Sequence, residues 1–125
     1  MTISVVIVRG VLSELRDRDI DPDEVLCAIG LPRERVADIR KYVTLDEAER
    51  LVRYATTRTN DPGLGLAVGA HAPGAMLQVV GHLLLAHRTI REAFTALHRY
   101  SALLTDAASF RLVERGEHAL FICEA

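Results

Sequence analysis

The sequence predicts a mainly α fold with a C-terminal β-hairpin, an α+β arrangement. Three observations carry that expectation. Apolar residues recur at helical spacing in segment after segment up to about residue 105. Several of those segments open on a cap: Asp21-Pro22, Thr44 with Glu47, Asp61-Pro62, and Thr89 with Glu92. Beyond residue 108 the period drops to two on either side of Arg115-Gly116-Glu117, as in a hairpin.

Taken in order, Ile3, Val5, Val6, Ile7 and Val8 have strand propensity. Val8, Val11, Leu12 and Leu15 nevertheless continue at helical spacing, with Glu14, Arg16, Asp17 and Arg18 on the far side. A helix over 3–18 is therefore expected. Asp21 caps the next helix, Pro22 is its first residue and Gly30 its stop, with Val25, Leu26 and Ile29 as the apolar side. Leu31-Pro32 starts a short helical turn to about Asp38. Thr44 and Glu47 form a capping box for a helix to about Thr59, whose buried stripe is Leu45, Ala48, Leu51, Val52 and Ala55.

Asn60-Asp61-Pro62-Gly63-Leu64-Gly65-Leu66-Ala67-Val68-Gly69 reads as a small apolar helix, capped by Asp61 and stopped by Gly69 and Pro73-Gly74. Glycine inside a helix costs roughly 1 kcal/mol relative to alanine. Close approach of the helix at 75–86 to Gly65 or Gly69 is the expected offset, so Gly65→Val should lower stability. Ala75–Ala86 is apolar almost all round, with Gln78 and His82 as its polar residues and Gly81 at its middle. Such a helix lies at the centre of a domain or under another chain. Ile90, Ala93, Phe94, Leu97, Ser101 and Leu104 give a further helix ending near Thr105. Residues 109–114 and 118–124 are the two strands of the hairpin.

The 125 residues make one domain of ordinary size, 50% hydrophobic and 26% charged, enough to bury an aliphatic core. Net charge is −2, and acids are interleaved with the arginines at 33–41 and 50–58, which argues against a nucleic-acid surface. Cys27 and Cys123 are far apart and without a CxxC, so reduced, buried thiols are expected. No signal-peptide pattern occurs, and no apolar run reaches the about 18 residues a bilayer span needs. A cytoplasmic protein with no membrane partner follows.

Chemistry is sparse. The glycines at 63–69 follow no strand and lack GK[ST], so they are packing glycines and not a phosphate cradle. No GxSxG, HExxH or Cys/His cluster is present, and the acid pairs sit in helix first turns. The chain is thus not expected to be an enzyme, nor to carry a metal or cofactor. His82 and His98 could meet if their helices are antiparallel neighbours. Gln78, Arg99, Tyr100 and Thr105 are polar groups near the most apolar segment, the composition of a small-molecule site. The ligand-binding candidates are Gln78, His82, His98 and Tyr100. A haem or metal sensor using His82 and His98 is the least supported alternative.

The ordered features resemble a family. They are Gly30-Leu31-Pro32, Thr44-Leu45-Asp46-Glu47-Ala48, the stretch 61–69 as D-P-x-L-G-L-x-x-G, Gly81-His82-Leu83-Leu84-Leu85-Ala86, Thr89-Ile90-Arg91-Glu92-Ala93-Phe94, and Arg99-Tyr100. Together these resemble the N-terminal regulatory domain of AraC-type transcription regulators, the subgroup named for arabinose binding. The resemblance implies a bacterial transcription factor whose N-terminal domain senses a small-molecule effector or forms a homodimer. DNA would be bound by a C-terminal helix-turn-helix domain, which these residues lack. Residues 1–125 therefore read as a single N-terminal regulatory domain, a fragment of a larger protein. The alternative reading is a homodimerisation module that needs no ligand.

Overall fold

A computed structural model of the chain describes residues 1–72 and 77–124. It has seven α-helices and two small antiparallel strand pairs among those residues. The chain divides into two compact units, residues 2–72 and the residues that follow.

The first unit opens on β1 (Thr2–Ser4), α1 (Val5–Asp17), α2 (Pro22–Ile29), α3 (Arg33–Ala37) and β2 (Tyr42–Thr44), and closes with α4 (Leu45–Thr59) and α5 (Leu64–His71). The strand propensity at the N-terminus is realised, but only over three residues. Ile3 pairs with Val43 in a β1–β2 ladder, and Ser4 then caps α1 by accepting the Val6 N–H. Asp21, Pro22 and Gly30 delimit α2 as their chemistry dictates. The Asp21 carboxylate accepts the Asp23 N–H at 2.9 Å, and Gly30 takes φ +67°, the left-handed region that favours glycine. The capping box of α4 is closed both ways: Thr44 Oγ1 accepts the Glu47 N–H and Glu47 Oε2 accepts the Thr44 N–H.

The core of this unit gathers Val5, Val8, Leu12 and Leu15 of α1 with Val25 and Ile29 of α2, Val43 of β2 and Ala48, Leu51 and Ala55 of α4. The α4 stripe is narrower than its sequence spacing suggests. Val52, one residue round from Leu51, is 52% exposed. Cys27 is exposed, as is Cys123 in the second unit, so neither thiol is buried as expected.

The 60–69 stretch folds differently from its reading. Asp61 and Pro62 form a turn rather than a helix start. The Asp61 carboxylate accepts the Gly63 N–H at 2.8 Å, Gly63 becomes the N-cap, and the helix runs past Gly69 to His71. The expected stop at Pro73-Gly74 lies outside the described residues. A Cβ added at Gly65 or Gly69 meets nothing within 4 Å among the described residues of its unit, so these are not glycines enforced by close packing there. Gly65→Ala is accordingly expected to raise stability, by about 0.5–1 kcal/mol, through helix propensity and a less flexible unfolded chain. A lower melting temperature for this variant would show that position 65 needs glycine after all.

The second unit contains α6 (Gln78–Ala86), α7 (Ile90–Tyr100), a 3₁₀ turn at Ser101–Leu103, β3 (Ser109–Arg115) and β4 (His118–Glu124). The start expected for α6 at residues 75 and 76 lies outside the described residues. Thr89 and Glu92 form the second capping box, on α7. The last turn expected to reach Thr105 tightens instead into the 3₁₀ turn. The hairpin forms as expected, with Arg115 paired to His118 and Gly116 at φ +60°, the positive φ a two-residue hairpin turn needs. One hairpin face packs on α7: Phe94 stacks on Phe121 at 4.3 Å between ring centroids, and Phe110 on Phe121 at 5.8 Å.

Candidate functional site

In the second unit, the four candidate residues fall on α6 and α7. Gln78 opens α6 with φ +52°. For a residue other than glycine this left-handed backbone costs roughly 1–2 kcal/mol, and such strain is concentrated at functional positions. His82 follows one turn later, so the amide and the imidazole share one face of α6. His82 is exposed and Gln78 half-buried, and neither side chain has a hydrogen-bond partner among the described residues. Around them α6 is apolar: Val80 is buried, Leu83 and Leu84 half-buried, and Val79 and Leu85 exposed.

His98 has a definite local task. Its Nδ1 bonds the main-chain carbonyl of Phe110 and so ties the last turn of α7 to β3. A carbonyl can only accept, so Nδ1 carries the proton, and in the neutral ring Nε2 is left as an acceptor. No hydrogen bond joins His82 to His98 among the described residues. Tyr100 is the last residue of α7, partly exposed, with a hydroxyl unpartnered among the described residues. His98 and Tyr100 are two residues apart and so face different sides of α7. Of the other polar groups near this segment, Thr105 is buried and its hydroxyl accepts the Ala107 N–H. Among the described residues no cluster of three His, Cys, Asp or Glu side chains could hold a metal ion.

Within the first unit, the Asp61 turn belongs to a polar cluster that the sequence spacing does not reveal. Glu14, only 5% exposed, accepts from Arg18 Nε at 2.8 Å and bonds His71 Nδ1 at 2.7 Å. Arg18 Nη1 reaches on to Asp61 at 2.8 Å. Hydrogen bonds from His71 and Arg18 hold the Glu14 carboxyl below the usual glutamate range, and those from Arg18 and the Gly63 N–H do the same for Asp61. The cluster locks both ends of the 61–71 segment onto α1. Its one sequence signal was Glu14 and Arg18 at i, i+4 on a helix face read as solvent-exposed.

A shallow groove of about 410 Å³ lies between α2 and α4, lined by Ala28, Ile29, Arg50, Arg53, Tyr54 and Thr57. None of the four candidate residues lines it. The four α4 positions stand at i, i+3, i+4 and i+7, a spacing that reads in sequence simply as a polar helix face. Arg50 is paired with Asp46 at 3.3 Å, and the Tyr54 hydroxyl donates to Glu24 at 3.4 Å.

No helix among the described residues is long and apolar enough to cross a membrane. Residues 20–125 match the family model described as the arabinose-binding domain of AraC transcription regulator, N-terminal. A search of curated proteins finds no match to the chain.

Proposed function

Because the chain belongs to the family of N-terminal arabinose-binding domains of AraC transcription regulators, we propose that it binds a small-molecule effector at α6 and α7, forms a homodimer, and controls a helix-turn-helix domain outside these residues. The family is one of regulatory ligand-binding domains and not of enzymes. Residues 1–125 act in this reading as one regulatory domain, and a cytoplasmic location follows from work on DNA.

The observation that carries the effector site is the pair Gln78 and His82. These are two polar groups, unpartnered among the described residues, one turn apart on an otherwise apolar helix, the first of them on a strained backbone. With the acceptor nitrogen of His98 they offer amide and imidazole groups but no fixed charge, while Tyr100, on a different side of α7, stands apart from this set. A neutral, polyhydroxylated ligand matches that donor and acceptor set, and a strongly anionic one does not. An effector favouring one packing of α6 on α7 would bias the intact regulator only through its differential affinity for the two states.

Melting curves of the chain with L-arabinose, other neutral sugars and organic acids test this, since a ligand that binds only the folded state raises the melting temperature. A neutral sugar is expected to give the shift. Removing both hydrogen-bonding groups with Gln78→Ala and His82→Ala is expected to weaken binding about tenfold or more, at roughly 1 kcal/mol per lost bond. The unliganded double variant should remain folded. An undiminished shift in that variant removes the site from α6, and equal DNA affinity of the apo and liganded regulator removes the mechanism.

A further inference from the structure

The hairpin leaves an edge that is matched to a second copy of itself. Among the described residues β4 pairs with β3 alone, and six of its seven residues are exposed. Long apolar edges are normally blunted by proline, a bulge or an inward charge, because their free N–H and C=O groups recruit other strands. Between His118 and Glu124, β4 reads Ala119-Leu120-Phe121-Ile122-Cys123, with none of these devices.

The hairpin fixes which groups are free. Arg115 and His118 flank the two-residue turn as a hydrogen-bonded pair, so His118, Leu120, Ile122 and Glu124 turn their main chain toward β3. Ala119, Phe121 and Cys123 turn theirs to the open edge. Antiparallel pairing of two such edges about a two-fold axis at Phe121 satisfies all of these groups: Phe121 exchanges bonds with its own copy, and Ala119 with Cys123. This register uses the strand over its full length. It also sets His118 opposite Glu124 at both ends, and Leu120 opposite Ile122 on the face turned away from α7. Centring on Leu120 or Ile122 instead would shorten the ladder and lose the match of His118 with Glu124.

We propose that two copies of this chain join edge to edge through β4, antiparallel about Phe121, to make one four-stranded sheet. Leu120, 49% exposed in the single chain, and Ile122 then continue the apolar strip begun by Val113, while the Arg111–Glu124 ion pair (3.0 Å) extends to His118 of the second copy. The proposal rests on the dimerisation half of the reading above and names its surface.

Sedimentation from micromolar to millimolar concentration measures the dimer, and cross-linking measures the register. In a background of Cys27→Ser and Cys123→Ser, one preparation carries Leu120→Cys and another Ile122→Cys. Mixed and treated with oxidised glutathione, they are expected to form a disulfide-linked dimer far faster than either alone, because only position 120 against position 122 is directly opposed. Ile122→Lys should raise the dimer dissociation constant at least about tenfold, since the added charge must be desolvated on the shared face, and should leave the hairpin's circular dichroism unchanged. A dimer that cross-links no faster in the mixture sinks the β4 register while sparing dimerisation. A chain that stays monomeric throughout, or an edge taken by a further segment of a longer protein, overturns the proposal.

Discussion

Leu51→Ala is expected to destabilise the first unit by about 2–5 kcal/mol, the range for emptying a fully packed leucine site. Leu51 is 1% exposed on α4, the helix that packs against α1, α2, β2 and α5. Losing its side chain opens a cavity that none of those elements can fill alone, because each is held by its own contacts to the others. Val52→Ala, next in the chain and 52% exposed, should stay within about 0.5 kcal/mol of the parent. Urea unfolding of the pair measures the contrast directly. Equal losses at the two positions would mean that Val52 is covered in solution and that the α4 stripe is as broad as its sequence spacing suggested.

The second large effect concerns acid. Glu14 and Asp61 both have carboxyl groups held below their ordinary values, chiefly by hydrogen bonds from His71 and Arg18 for the first and from Arg18 for the second. A carboxylate with a depressed folded-state pKa stabilises the fold above its unfolded value, and that contribution is lost as the pH falls through the folded value. The unfolded references are 4.5 and 3.8. The melting temperature should therefore be flat near neutrality and fall steeply below about pH 4.5. Glu14→Gln combined with Asp61→Asn should melt lower than the parent at pH 7, and the gap should narrow as the pH falls below the unfolded values of 4.5 and 3.8. Asp38, pulled down to about 2 by Arg40 on an exposed turn, titrates alike in both proteins and leaves a common residual slope. Parallel curves from pH 7 to pH 3 would show that the Glu14–Arg18–Asp61 cluster holds nothing together.

Much of this was legible in the sequence, and the reason is locality. A cap is a hydrogen bond across two or three residues, as with Thr44 and Glu47, and a C-terminal glycine such as Gly30 needs only its own backbone. Those signals placed α2, α4, α7 and the hairpin turn closely. The family was legible in the same way, from short ordered motifs around Asp61-Pro62, Gly81-His82 and Arg99-Tyr100, and residues 20–125 match the family model. Candidate ligand groups could be named from composition near an apolar helix, but their partners could not.

What the sequence by itself determined is where most helices begin and end, where the hairpin turns, and which family the chain belongs to. Only the tertiary structure decided that Ile3 pairs with Val43, turning the first two residues of an expected helix, Ile3 and Ser4, into strand. It alone put Asp61 into a turn held by Arg18, made Glu14 a buried anchor for His71, committed His98 to the Phe110 carbonyl, and left both cysteines exposed. In the longer-range contacts the partners lie far apart in the chain: Arg18 and Asp61 are separated by 43 residues and Glu14 and His71 by 57. Periodicity and capping act within a turn or two, so they carry no information about which distant side chain arrives opposite. That choice is made when the helices pack.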